Sequence, residues 1–95
     1  MAAYLFADIN VTDPARFDEY RGKVAPLVEK YGGTYLVRGG DFEAVEGGWS
    51  PGRLVVIEFE NLERAKAFYF SAEYAPVMEI RKQASTGNVL IVEGA

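Results

Sequence analysis

The sequence contains no cysteine and no histidine among its 95 residues. Without cysteine the protein has no disulfide, no thiolate nucleophile and no cysteine-ligated iron–sulfur cluster. Without histidine it lacks the commonest metal ligand, the usual proximal haem ligand and the side chain best suited to proton transfer near neutral pH. We therefore expect no metal and no other cofactor. Any acid–base chemistry would have to use Asp, Glu, Tyr or Lys.

Long apolar runs and clusters of positive charge are also missing. No run approaches the ~20 residues that a membrane helix needs, and the first residues do not resemble a signal peptide, so we expect a cytoplasmic protein. Lys and Arg number 10 against 14 Asp and Glu, which gives a net charge of −4. Nucleic acids and anionic membranes attract clustered positive charge, so neither is expected as a partner. A chain of this length is expected to form one domain, residues 1–95.

Four segments have the apolar alternation or the continuous apolar character of β-strands. The second of these predicted strands, Thr34–Arg38, is expected to resume at Phe42–Glu46 after a bulge at Gly39-Gly40. Gly47–Gly52 is the predicted turn before the third strand, which begins at Arg53. The predicted strands are Ala3–Val11, Thr34–Arg38, Arg53–Glu60 and Asn88–Glu93.

Two helical regions separate these strands. Asp13 and the proline after it start the first region, which ends at the glycine pair beginning with Gly32, and Pro26 inside it predicts a kink or a break. Asn61 caps the second region, while Ser71 is expected to interrupt it and to cap a further helical segment. The order strand, helix, strand, strand, helix, strand is typical of a ferredoxin-like α+β fold with an antiparallel sheet.

In this topology both helical regions cover the same face of the sheet. The opposite face should be mostly polar if it is exposed to water, and a large apolar patch there is unusual for a monomer. We therefore expect a homodimer in which two sheets lie face to face; the alternative is that these residues are ordinary scattered surface hydrophobics. The apolar residues of that opposite face are Tyr4, Phe6, Leu54 and Val56.

Four groups of residues together match a known family: Arg38-Gly39-Gly40, Glu46-Gly47 with Trp49, Arg53 to Phe59, and Ser71 to Tyr74. With these groups, the chain from Tyr4 to Gly94 resembles the family of domain of unknown function 1330. The resemblance implies a dimeric α+β barrel, in a wider superfamily that includes cofactor-free monooxygenases, muconolactone-type isomerases, haem-degrading enzymes and stress-responsive barrels. The family itself has no settled activity, and the absence of histidine sets this chain apart from the haem-binding relatives.

Asp8 and Glu58 are the candidate catalytic residues, because strand alternation places both on the half-apolar face. A carboxylate that loses water without gaining a partner is suited to act as a general acid or base. The alternative is a structural ion pair with Arg38 or Arg53.

Four further residues are candidates for ligand binding. Arg38 and Arg53 could each hold a carboxylate or an enolate oxygen through two parallel hydrogen bonds, or could instead form salt bridges with glutamates or lie at the surface. Trp49 could cap a pocket, reach across a dimer or pack on its own hairpin. Tyr69 could donate a hydrogen bond to a ligand or pack in the core.

Three functions are compatible with these residues. In the first, an enzyme acts on a small anionic or carbonyl-bearing molecule, with Glu58 or Asp8 moving a proton and Arg38 stabilising the oxyanion. In the second, the same pocket between sheet and helices binds a ligand without reaction. In the third, the protein is a structural or interaction dimer with a fully packed inner face. We favour a small-molecule pocket, catalytic or not.

Overall fold

The computed structural model describes all residues, 1–95. Its four strands form one antiparallel sheet in the order β2-β3-β1-β4. The predicted α+β fold with an antiparallel sheet is confirmed. The elements, in chain order, are β1 (Ala3–Val11), α1 (Pro14–Lys30), β2 (Thr34–Arg38), β3 (Arg53–Phe59), α2 (Leu62–Tyr69), α3 (Tyr74–Ala84) and β4 (Ser85–Glu93).

Helix α1 runs unbroken through Pro26, so the predicted break there is wrong. A proline inside a helix removes one backbone donor and crowds the carbonyl four residues earlier. Here that carbonyl belongs to Gly22, which is exposed and has open space around it. Water can therefore replace the missing donor, and the helix continues to Lys30.

The interruption predicted at Ser71 is confirmed. Its hydroxyl donates to the carbonyl of Phe68 at 2.8 Å and accepts from the backbone N–H of Tyr74 at 3.1 Å. One side chain thus closes the end of α2 and satisfies a free N–H at the start of α3. This sharp join directs α3 back across the sheet, where it packs beside α1.

The β2–β3 hairpin differs from the expectation in two ways. Strand β2 ends at Arg38, and residues 39–52 form an exposed connection without regular structure, so the predicted strand at Phe42–Glu46 is wrong. The register shift lies at Leu36 and not at the glycine pair. Because of this bulge Val37 is opposite Val56, and Arg38 is opposite Val55. Strand β4 also begins three residues earlier than predicted, at Ser85.

The hydrophobic core fills the space between the sheet and the helices. Every second residue of β1 from Ala3 to Ile9 is buried against the helices. The ring of Phe68 on α2 lies at the centre, 5.6 Å from the ring of Phe59 and 4.7 Å from that of Tyr74. The residues that form this helix-facing side of the sheet are Leu5, Ala7, Ile9, Val55, Ile57 and Phe59.

The other side of the sheet, which we call the open face, lies outside this core. Strand register places on it an apolar group that spans β1, β3 and β4, and Leu90 and Val92 are 54% and 49% exposed. The protein is a slab of 34 × 32 × 17 Å, and this face is one of its two broad sides. None of the helices combines the length and apolar character needed to cross a membrane. The apolar open-face residues of these three strands are Tyr4, Phe6, Leu54, Val56, Leu90 and Val92, and Val37 of β2 lies beside Val56.

Candidate functional site

A cavity of about 50 Å³ lies between the helix-facing side of the sheet and the helices. Its floor includes Ala7 and Val55 from the two central strands, and its walls include Phe17 and Val24 from α1. These side chains belong to the core pattern of alternating strand residues and a helical stripe. The cavity is therefore apolar over most of its surface.

Four arginines are the only charged residues that line this cavity: Arg21 from α1, Arg38 from the end of β2, Arg53 from the start of β3 and Arg81 from α3. No carboxylate lines it, although the chain as a whole has a net charge of −4. Arg21 alone has an acidic partner, Asp18, at 3.4 Å, and that pair is exposed. The cavity therefore has a strong excess of positive charge.

Arg38 and Arg53 meet where β2 and β3 diverge into the loop. The Arg38 guanidinium lies 4.2 Å from the centre of the Tyr35 ring, a cation–π contact. Arg53 donates from Nη2 to the carbonyl of Arg38 at 3.4 Å. Gly39 has a φ of +73°, and a Cβ at this position would collide with the Arg53 guanidinium. Glycine thus allows both the left-handed backbone and the close approach of the arginine.

The guanidinium groups of Arg21, Arg38 and Arg53 repel one another. The pKa of Arg53 is lowered, first by burial and then by repulsion from Arg21 and Arg38. Burial raises the pKa of Tyr35, although Arg38 and Arg53 act in the opposite direction, so this hydroxyl stays protonated near neutral pH. A bound anion would relieve the repulsion among the three guanidinium groups.

Arg81 occupies a different environment. It is only 8% exposed and forms no ion pair. Burial acts to lower its pKa, but the neighbouring Tyr74, Tyr69 and Tyr20 outweigh burial and the pKa is raised. Burial raises the pKa of Tyr20 and of Tyr74, so at neutral pH these two hydroxyls offer dipoles and not a balancing negative charge. Arg81 is therefore a buried cation whose charge no acid of the chain neutralises.

Two tyrosine hydroxyls adjoin Arg81 in the cavity wall. The oxygens of Tyr20 and Tyr74 are 2.9 Å apart, and either can be the donor. Burial, followed by the proximity of Tyr74, raises the pKa of Tyr20 far above its usual range. Burial likewise raises the pKa of Tyr74, although Arg81 and the bond from Tyr20 oppose it. Both hydroxyls therefore act as hydrogen-bond donors at neutral pH and not as bases.

The predicted catalytic acids lie on the opposite face of the sheet. Asp8 accepts from Trp49 Nε1 at 2.9 Å and from the backbone N–H of Gly52 at 2.8 Å, which ties the long loop to β1. Glu58 is on the open face opposite Tyr4. Neither acid pairs with Arg38 or Arg53, so the alternative of a structural ion pair is wrong. As catalytic residues, Asp8 and Glu58 stay predictions.

Trp49 and Tyr69 are also separated by the sheet. Trp49 is 55% exposed, and its ring lies 6.3 Å from that of Phe6 on the open face, so it packs on β1 and not on its own hairpin. Tyr69 packs its ring 5.6 Å from that of Tyr74 and approaches Arg81 from α2. The structure thus groups Tyr69, Arg38 and Arg53 on the cavity side and leaves Trp49 with Asp8.

Sequence reasoning missed Arg21 and Arg81 as site residues. A signal for Arg81 was present, because it falls on the same apolar stripe of α3 as Tyr74 and Val77. A charged residue on a buried helical stripe is uncommon unless it has a partner. Arg21 gave no such signal, since it is exposed and has a neighbouring acid on its own helix.

Comparison with known proteins identifies a family but no activity. The family model described as Domain of unknown function (DUF1330) matches residues 2–95. No curated protein matches the sequence.

Similar solved structures agree with the fold. The RPA0582 protein of unknown function from Rhodopseudomonas palustris has a TM-score of 0.78 and 13% identity, covering 99% of this chain and 82% of that one. A conserved protein from Methanosarcina mazei Go1 has a TM-score of 0.59 and 14% identity, with 100% and 94% coverage. An ethyl tert-butyl ether d (ethd) family protein from Bacillus halodurans has a TM-score of 0.57 and 16% identity, with 100% and 99% coverage. At these identities the likeness establishes the fold alone.

Proposed function

Because this chain belongs to the family of domain of unknown function 1330, which is defined without an activity, we propose a function from the geometry of the chain itself. The protein binds a small anionic molecule in the cavity between the sheet and the helices. The observation that supports this proposal is the lining of an apolar cavity by four arginines and no carboxylate.

Charge and desolvation both favour an anion in this cavity. Guanidinium groups bind carboxylate or phosphate oxygens through charge-assisted hydrogen bonds, which are stronger than neutral ones and stronger still away from water. An apolar lining with a few convergent polar groups is also the usual composition of a small-molecule site. Burial and, after it, repulsion from Arg21 and Arg38 lower the pKa of Arg53, and an anion between these groups would offset the repulsion.

We propose binding ahead of catalysis because the cavity contains no evident base. Its titratable groups other than the arginines are tyrosines, and burial keeps Tyr20 and Tyr74 protonated. A reaction in this cavity would therefore use Arg81 and the tyrosine hydroxyls to stabilise negative charge on a ligand oxygen. It would not depend on Asp8 or Glu58, which lie across the sheet.

We further propose that a second copy of the chain covers the open face. The observation that favours a homodimer is the broad apolar area formed by three adjacent strands. A face of 34 × 32 Å is large enough for an interface that buries about 800 Å² on each partner. The lack of cysteine suits a reducing compartment, and we propose the cytoplasm.

The first experiment is native mass spectrometry of the protein purified gently from its own host. The expected result is a dimer with a small anionic adduct. Arg53→Met should lose the adduct, whereas Arg64→Met, which removes an exposed arginine outside the cavity, should keep it. A protein that carries no adduct, and whose melting temperature no carboxylate or phosphate raises, would contradict the binding proposal.

A further inference from the structure

The four arginines form two groups that are separated across the cavity. After burial, the groups that act on the pKa of Arg53 are Arg21, Arg38 and, last, Tyr35, whereas those that act on the pKa of Arg81 are Tyr74, Tyr69 and Tyr20. Arg38 and Arg53 belong to β2 and β3, the two neighbouring strands at one lateral edge of the sheet. Arg81 belongs to α3 and, together with Ile9 of β1, lines a second depression next to β4. The cavity therefore has a positively charged group at each end.

The stretch between the two groups is apolar. Its floor is formed by side chains of β1 and β3, including Ala7 and Val55. Neighbouring strands lie about 4.8 Å apart, so the two ends are separated by one to two strand spacings, roughly 5–10 Å. The narrow cavity restricts a ligand to a compact shape, although the exposed side chains of Arg21 and Arg38 can move outward to admit it.

We propose, on the basis of the function proposed above, that the ligand has an anionic oxygen group at each end, as a short dicarboxylate does. Arg38 and Arg53 bind one carboxylate at the mouth of the cavity. Arg81 binds the other, and the Tyr20–Tyr74 pair donates to it. A flexible or flat apolar segment joins the two carboxylates across the floor.

The end of the cavity at Arg81 has a positive charge and a free hydroxyl proton that a singly charged ligand, bound at the mouth, would leave without a partner. Arg81 is buried without an acidic partner, and a buried charge of this kind is costly unless it is paired. The bond between Tyr20 and Tyr74 uses one of their two hydroxyl protons, so the other is free for a ligand oxygen. A second carboxylate satisfies both groups at once.

Isothermal titration calorimetry with succinate and with butyrate tests this inference, because the two acids have equally long chains and differ in one carboxylate. Succinate should bind at least about tenfold more tightly, as expected for an added charge-assisted hydrogen bond. Arg81→Met should abolish the difference between the two acids. Arg53→Met should weaken both acids, and Arg64→Met should weaken neither.

Two further variants keep the result interpretable if Arg81→Met folds poorly. Arg81→Lys retains the charge without the planar fork and should give an intermediate preference for succinate. Tyr20→Phe should reduce succinate affinity and so narrow the difference between the two acids. If the two acids bind with equal affinities, and if these affinities are unchanged in all Arg81 and Tyr20 variants, the proposal of a two-ended ligand is overturned. The proposal that the cavity binds an anion would still stand. Binding of neither acid would also overturn it, and native mass spectrometry then decides independently whether any anion occupies the cavity.

Discussion

Replacing Val56 by lysine is expected to convert the proposed homodimer into a folded monomer. Val56 lies on β3, opposite Phe6 of β1 and Val37 of β2, near the middle of the open face. Its side chain points away from the core and is half-buried. The monomer should therefore keep its helix content and its core packing, while the face presented to the partner acquires a charge.

The size of the effect follows from burial and symmetry. Complete burial of a valine is worth about 1.5–3 kcal/mol, and roughly half of that remains to be gained at a half-buried position. A two-fold interface contains the residue twice, so the lost apolar burial amounts to about 1.5–3 kcal/mol, or about 10- to 150-fold in the dimer Kd. Two lysine ammonium groups add several kcal/mol of desolvation, which raises the total to about a thousandfold or more.

Sedimentation velocity over a wide range of protein concentration measures this change. The control is Ala67→Lys, which adds the same charge at an exposed position of α2 and should leave the dimer intact. Circular dichroism of both variants verifies that the fold is retained. A wild-type protein that sediments as a monomer at every concentration, or a Val56→Lys variant that dimerises as well as wild type, would refute the argument from the apolar open face.

Three other substitutions or conditions have defined outcomes. Gly39→Ala should cost about 1–2 kcal/mol of unfolding free energy in urea, because an L-residue is strained at a φ of +73°, and should weaken anion binding by displacing Arg53; unchanged binding would contradict that contact. Phe68→Ala should cost about 3–5 kcal/mol, because the ring is fully buried among three aromatic rings, and a loss below 1 kcal/mol by the same assay would argue against this packing. The raised pKa of Tyr20 predicts stability that is fully present below the ordinary tyrosine pKa of about 10 and is lost as the pH rises above it, because only the unfolded state then releases the proton. Urea unfolding between pH 9 and 11 should show this decline, and Tyr20→Phe should make it shallower.

The order of elements could be predicted because its signals are local. Alternation in β1, the cap at Asn61 and the interruption at Ser71 each depend on a few neighbouring residues, and the structure contains all three. The fate of Pro26 could not be predicted in the same way. It depends on the exposure of the Gly22 carbonyl one turn earlier, which is a property of the folded surface.

The arrangement of the site could be predicted only in part, because a bulge decides on which face of the sheet Arg38 lies. Regular pairing of β2 would place Arg38 opposite Leu54, on the same face as Asp8 and Glu58. The bulge at Leu36 shifts the register by one, and Arg38 instead lies opposite Val55 on the cavity side. Since a one-residue shift in a strand reverses the facing of every side chain beyond it, Arg38 does not join the acids. Arg53 is separated from them by regular alternation, which places it opposite Ile9 on the cavity side.

The bond between Trp49 and Asp8 gives the molecule an intrinsic optical reporter. The only tryptophan of the chain stands on the open face, half in water, with its indole N–H held by a carboxylate of β1. Indole fluorescence responds to the polarity around the ring, so a partner that covers this face would change the emission without any added label. A ligand in the cavity would lie on the far side of the sheet from the ring. The proposed self-association and the proposed small-molecule binding would therefore have separate spectroscopic signatures in the unmodified protein.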